Sequence, residues 1–220
     1  MTWLERHITL HSNDSPREEV ANWATHLIGA VAALLGTVML LVTAPEGAEP
    51  AQSGAGARAI FGSSMVLLFS ASTAYHMTNA QSPWKRLFRL ADHVSIYLLI
   101  AGTYTPIMTA VAEPWAYGIL AAVWILAAVG IVLKVILWDR FRRTQILFFL
   151  AMGWLAVLRL EPILAALPLQ FFVLLLTGGV FYSLGTIVYS MKHMPYHHAV
   201  WHLFVLAGAA SFFWGVYGYL

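Results

Sequence analysis

The chain predicts an all-α membrane protein, a bundle of seven transmembrane helices, and two observations carry that prediction. The first is composition: 60% of the 220 residues are hydrophobic, 10% are charged, and the mean hydropathy is +0.73. An ordinary globular domain has roughly a quarter of its residues charged. The second is a succession of apolar runs close to the length of about 20 residues that a helix needs to cross a hydrocarbon core about 30 Å thick. These runs lie near 20–43, 57–77, 91–111, 115–136, 144–160, 168–190 and 196–219. They leave no room for a soluble domain, so 1–220 reads as one integral membrane domain with a short N-terminal segment at about 1–18.

Taken in order, the first span is announced by "SPREE". Ser15 suits the N-cap, Pro16 the first helical position and Glu18 the acidic arm of a capping box, so the helix starts outside the membrane and runs into it. The acidic and basic residues before it, Glu5, Arg6, Asp14 and Arg17, do not resemble a removable signal peptide. Between spans, the Ala/Gly-rich stretch 44–57, "AEPW" at 112–115 and "LEPILAALPLQ" at 160–170 supply the Pro and Gly breaks expected of turns. The fifth span is the shortest and ends on Arg159. Pro195 is expected in the first turn of the seventh, leaving His193 in the preceding loop. Trp3, Trp84, Trp115 and Trp138 fall near span ends, where amphipathic aromatics settle at the headgroup level. Gly178 and Gly179 mark a close helix contact.

Orientation follows from the basic residues, which accumulate in cytoplasmic loops. With the N-terminus inside, ten of the 12 Lys and Arg residues lie on the cytoplasmic side and only Arg58 and Arg159 lie outside. The expected arrangement is a cytoplasmic N-terminus, an external C-terminus and a multi-pass location in the cytoplasmic membrane. A net charge of +2 without a basic run gives no sign of nucleic-acid binding. The absence of cysteine removes thiolate ligands and disulfides, leaving His and carboxylates as the strong metal ligands.

Ionisable residues within spans cost a few kcal/mol on insertion scales and are functional candidates by default. Here they are Glu19 and His26 in the first span, His76 closing the second, Asp92 and His93 opening the third, and His198 and His202 opening the seventh. With alternating helix directions, all of them lie toward the cytoplasmic leaflet. His198 and His202 are four apart, so their rings leave one helix face a turn from each other and can grip a single ion. His197, rotated by about 100° from His198, is assigned to the headgroup boundary. His76 can bring a third nitrogen, and three protein ligands with one open position are what a catalytic zinc requires; by itself, His76 would also fit as a histidine at the headgroup level.

The neighbouring polar residues each admit two readings. Ser72 precedes His76 by one turn and either faces what His76 holds or bonds back to its own helix. The motif H-E-x-x-H is missing, because Ala199 follows His198. A general base must then come from elsewhere: Asp92 can take a proton near a metal, or can simply cap the third span. His93 is a neighbour of the site or plays no part. Glu19, Asn22 and His26 share a stripe of the first helix. They either hydrogen-bond the ligand histidines, or leave Glu19 solvated at the helix start and His26 paired between helices.

The segments "EEVANWATHLIGA", "SASTAYH", "DHVSIYLLIAGTYTPI" and "GGVFYSLGTIVY…HHAVWHLFVLAGAASFF" resemble the haemolysin III family, which belongs with the progestin and adipoQ receptors and the alkaline ceramidases. The resemblance runs from about residue 18 to the C-terminus. It implies seven helices, a cytoplasmic N-terminus and a Zn2+ ion held by His76, His198 and His202 near the inner leaflet. It also implies that Asp92 contacts a water at the metal and that Ser72 lies close by. The expected function is zinc-dependent hydrolysis of a membrane lipid amide or ester. The alternative is a non-enzymatic lipid sensor or cytolytic membrane protein with a structural or regulatory zinc.

Overall fold

A computed structural model of the chain describes residues 3–10, 14–43, 54–142 and 144–220; of the loop expected at 44–57, positions 44–53 lie outside the described residues. The elements are α1 (Trp3–His7), α2 (Pro16–Val42), α3 (Ala55–Met77), α4 (Lys85–Val111), α5 (Pro114–Ile136), α6 (Gln145–Gly153), α7 (Leu160–Ala166), α8 (Leu169–Ser190) and α9 (His197–Tyr219). Short 3-10 turns lie at Arg140–Arg142 and Leu155–Arg159, and no strand occurs among the described residues. Seven helical segments are long and apolar enough to cross a membrane, α6 and α7 together forming the fifth. Around the bundle, α8 packs on α9, α9 on α2, α2 on α3, α3 on α4 and α4 on α5, with α6 against α4, α5 and α8.

The bundle is built apolar side out. Val42, Leu158, Ile28 and Leu35 are exposed, as lipid-facing residues should be. Polar side chains, among them Asn22, His26, Ser72, His76, Thr103, Thr105 and His202, are buried. Hydrophobicity gives helices little reason to associate in lipid, so close approach and hydrogen bonding do more of the work. A Cβ added at Gly178 would come within 2.9 Å of the Phe212 ring, and one at Gly29 within 2.9 Å of the Phe69 ring. These glycines let α8 approach α9, and α2 approach α3.

The sequence-derived spans need four adjustments. The third begins at Lys85, not near 91, because its first turns are anchored rather than solvated. Lys85 Nζ donates to the Tyr75 carbonyl at 2.7 Å and lies 4.3 Å from the Tyr75 ring centre. Arg86 Nε donates to the Ile8 carbonyl at 3.1 Å, and Arg89 donates to that of Thr9. The fifth span does not stop at 160, and 160–170 is not an open break: α7 continues to Ala166, with Pro162 tolerated in its first turn. Pro195 precedes the seventh helix instead of sitting in its first turn; Tyr196 takes the N-cap in the left-handed region at φ 55°, and α9 starts at His197. Trp138, expected at the headgroup level, is buried between Lys134 Nζ, 3.8 Å from its ring centre, and the stacked His93 ring at 5.0 Å.

Helix α4 is the most buried span, with 67% of its membrane window inside the molecule. Its threonines bond back to their own helix: Thr103 to the Leu99 carbonyl and Thr105 to that of Ala101. Pro106 sits in its interior, one residue after Thr105, whose hydroxyl also accepts from Trp124 Nε1 at 3.2 Å. The same helix holds the interruption of the fifth span together. Tyr104 Oη donates to the Gly153 carbonyl at 2.9 Å and accepts from the Ala156 amide at 2.9 Å. Tyr104→Phe would strand that amide at a cost of about 1–3 kcal/mol. Thermal unfolding of the variant in detergent is expected at a lower midpoint; an unchanged midpoint would show that the two bonds contribute no stability.

Candidate functional site

The candidate site lies where the N-terminal ends of α2, α4 and α9 meet the C-terminal end of α3. Its entry is fixed first by local chemistry. Ser15 caps α2: the Glu18 amide donates to Ser15 Oγ at 3.3 Å, and the Ser15 amide donates to Glu18 Oε2 at 2.8 Å, the capping box expected from "SPREE". The other oxygen of the same carboxylate, Oε1, accepts from the Tyr196 amide at 3.0 Å, tying the start of α9 to the start of α2.

Three histidines converge here. One ligand-capable atom from each of His76, His198 and His202 lies within 4.8 Å of the others. His76 and His202 are buried and His198 is half-buried. In each ring Nδ1 faces an acceptor. His76 Nδ1 is 2.7 Å from Glu19 Oε2, His202 Nδ1 is 3.0 Å from the Asn22 carbonyl, and His198 Nδ1 is 3.5 Å from Asp14 Oδ2. A carboxylate or a carbonyl can only accept, so Nδ1 is the donor in these contacts and Nε2 is the nitrogen left for another partner. Nε2 of His76 is buried with no hydrogen-bond partner. Imidazole nitrogens presented this way suit zinc, copper, iron or nickel, and no thiolate competes.

The remaining sequence-predicted residues separate into three groups. Glu19 and Asn22 touch ligand-capable histidines, Asn22 through its backbone carbonyl; its side-chain Nδ2 donates to Asp14 Oδ2 at 3.1 Å. Glu19 is therefore not simply solvated. His26 makes no hydrogen bond to those histidines, contrary to its place on the expected polar stripe. It stacks on His202 with ring centres 3.5 Å apart and planes 17° from parallel, and both its nitrogens are buried without partners. Ser72 is buried one turn before His76, and its hydroxyl has no hydrogen-bond partner, so the back-bonded alternative does not hold. It is not among the residues lining the cavity described below.

Asp92 lies inside α4, seven residues after Lys85, and is not a helix cap. Its carboxylate is 3.4 Å from His93 Nδ1, and both residues line the cavity. His197, the first residue of α9, lies with its Nε2 3.3 Å from Lys192 Nζ at the cavity's edge. Sequence reasoning missed Asp14. It precedes the first span and reads as a solvated acid, yet it meets both His198 and Asn22. The hydrogen bond from His198 holds its carboxyl below the usual carboxylate range, against the opposing effect of burial. Its position just before the Ser15 cap was the available signal.

From this polar end a cavity of about 1170 Å³ runs into the bundle. Asp14, His76, Asp92, His198 and His202 line its head, while Leu99, Ile107, Phe149, Ile163, Leu175 and Phe212 line its body. The arrangement joins a few convergent polar groups to a long apolar chamber, the usual build of a small-molecule site.

Fold and site together define a seven-helix membrane protein with a buried histidine cluster at the head of an apolar chamber. The sequence matches the family model described as Haemolysin-III related over residues 15–213, and the chain belongs to the haemolysin III family. It is 38% identical over 205 residues to Hemolysin-3 of Bacillus cereus, covering 93% of this chain and 92% of that protein. It is 39% identical over 208 residues to a Hemolysin-3 homolog of Bacillus subtilis, covering 92% and 94%. Identity to the human Monocyte to macrophage differentiation factor is 27% over 213 residues, covering 92% and 84%, which relates the chain to the progestin and adipoQ receptors.

The Glu18 bridge between α2 and α9 can be tested directly. In Glu18→Ala, hydrogen exchange at the amides of Tyr196 to Val200 is expected to accelerate about tenfold, the loss of a charge-assisted bond. Arg17→Ala should leave those amides unchanged. Equal protection in both variants would mean that α9 is held by other contacts alone.

Proposed function

We propose that the protein is a zinc-dependent intramembrane hydrolase of a lipid amide or ester. The observation that carries this reading is the set of three imidazoles, each with Nδ1 turned to an acceptor, standing at the head of a chamber lined by apolar side chains. His76, His198 and His202 would hold the metal, and the buried, unpartnered Nε2 of His76 is the orphaned atom that a cation would satisfy. When bound there, zinc supplies Lewis acidity and makes water acidic enough to attack at neutral pH.

The chain's own residues supply the rest. Glu19, the Asn22 carbonyl and Asp14 fix the tautomer and the direction of the rings, the role that outer partners play around metal ligands. Asp92 is the group that accepts a proton from the attacking water and returns it to the departing nitrogen or oxygen. His93, 3.4 Å from that carboxylate, orients it. Ser72, buried one turn before His76 with its hydroxyl unspent on its own helix, is assigned to the surroundings of the metal and, lying off the cavity lining, not to the substrate carbonyl. Leu99, Ile107 and Phe149 would take the acyl chain.

The bias of the basic residues supports a cytoplasmic position for this end of the bundle, with the N-terminus inside and the C-terminus outside a cytoplasmic membrane. A second reading is a lipid sensor or lytic protein, the lytic form supported by the name Hemolysin-3 of the Bacillus cereus relative. The apolar body of the cavity favours a lipid tail over an ion path.

Purified protein is expected to carry about one zinc per chain, lost in His76→Ala and in His202→Ala. Glu19→Ala should weaken zinc affinity about 10–100-fold. Asp92→Asn should keep the metal and abolish turnover, read by comparing cellular lipids with and without each variant. Metal-free wild type removes the zinc reading, and full activity in Asp92→Asn removes the hydrolytic mechanism while leaving the sensor.

A further inference from the structure

At the same end of the bundle, outside the large cavity, a second hollow of about 250 Å³ lies between α1 and the exit of α5. Arg6 and His7 reach it from α1, and residues 136–140 form the opposite wall. Its acid, Asp139, accepts a hydrogen bond from Thr9 Oγ1 at 2.8 Å. Neither Arg6 nor Arg140 has a side-chain partner among the described residues. Two guanidiniums and an imidazole thus face one small volume with a single carboxylate beside them.

The hollow is rigidly built. Arg86 and Arg89 hold the backbone carbonyls of Ile8 and Thr9, and Ile8 is 1% exposed, so the segment after α1 is anchored to α4. Trp138, in the wall, is clamped between Lys134 and His93. Ile136 and Leu137, at the end of a membrane-crossing helix, are exposed beside the guanidiniums. Trp3 stacks on His7 with ring centres 4.5 Å apart and is also exposed. Cations, an interfacial tryptophan and an apolar flank at one level of a membrane helix match the headgroup, the interface and the first methylenes of a phospholipid.

We propose that this hollow binds the phosphate of an anionic phospholipid, with the phosphodiester between Arg6 and Arg140 and the acyl chains descending along Ile136 and Leu137. Guanidinium is the side chain best matched to phosphate oxygens, through paired N–H donors. The proposal is independent of the hydrolase reading, because none of these residues touches the histidine cluster's ligand-capable atoms.

The test is native mass spectrometry of the full chain released from nanodiscs containing phosphatidylglycerol and phosphatidylcholine. Wild type is expected to retain one phosphatidylglycerol, preferred over phosphatidylcholine by about tenfold or more. Arg6→Gln with Arg140→Gln should lose that preference, each single change should weaken it, and Arg17→Gln, a single-charge change at the same end, should keep it. Arg6→Lys with Arg140→Lys retains the charge but not the paired donors and should keep the preference at reduced affinity; if it fails as fully as the glutamine variant, charge recognition is overturned. Titration with inorganic phosphate alone separates the two sources of the anion. Binding about a hundredfold weaker than the lipid is expected, since a free ion gains nothing from Ile136 and Leu137. Equal affinity would overturn the lipid as occupant, and phosphatidylglycerol retained by the glutamine variant would overturn the site.

Discussion

The constraint on which the site depends is that an imidazole has two nitrogens, and fixing one decides what the other can do. His76, His198 and His202 come from α3 and α9, but all three Nδ1 atoms find their acceptors within Asp14 to Asn22. One short stretch, the approach to α2 and its first two turns, therefore aligns rings carried by two other helices. The stretch is itself held by the Ser15 cap and by Glu18, whose carboxylate bonds both the Ser15 amide and the Tyr196 amide. A capping box usually serves only its own helix. Here its acid also seats the helix that carries two of the three histidines.

That alignment requires helices to approach closely in a medium where burying apolar surface gives little reward. Small residues supply the approach: Gly29 on α2 faces Phe69 of α3 and Leu206 of α9, and Gly208 on α9 faces the Tyr182 ring of α8. Buried polar groups then raise the cost of any other arrangement, because a displaced carboxylate or imidazole would lose its partner inside the bilayer. The stack of His26 on His202 fits the same logic. His26 has no hydrogen-bond partner, and its contribution is a flat wall that limits rotation of His202.

What was legible in the sequence is what depends on composition and local spacing. The seven apolar runs, the Ser15 cap and the one-leaflet placement of His76, His198 and His202 follow from span lengths and from rules that act within a few residues. What was not legible depends on partners far along the chain. Asp14 meets His198 across more than 180 positions, and its one local signal, the place just before the Ser15 cap, does not say which side chain it meets. Helix α4 extends back to Lys85 because Tyr75, Ile8 and Thr9 offer carbonyls to its cations, and hydropathy alone ended the span at the first apolar residue. The break in the fifth span is stabilised by Tyr104, about fifty residues upstream. His93, next to Asp92 but about 100° around an ideal helix, was left open on geometry; the side chains nonetheless meet.

Charge distribution follows from the same anchoring. Asp14, Glu19 and Asp92 stand beside the histidines, while the nearest cations are held on other groups. Lys85 is committed to the Tyr75 carbonyl and ring, Lys134 to Trp138, and Arg89 to the Thr9 carbonyl between the Tyr75 and Trp138 rings. An aromatic face and a carbonyl replace part of the water that a buried cation gives up. Each of these three cations therefore has a partner of its own close at hand. Around the ring nitrogens stand acceptors, the carboxylates of Glu19 and Asp14 and the Asn22 carbonyl. Arg6 and Arg140 line the smaller hollow, whose wall includes Trp138. Trp138, stacked on His93 of the chamber wall and lining that hollow, thus ties the histidine end of the bundle to its basic rim.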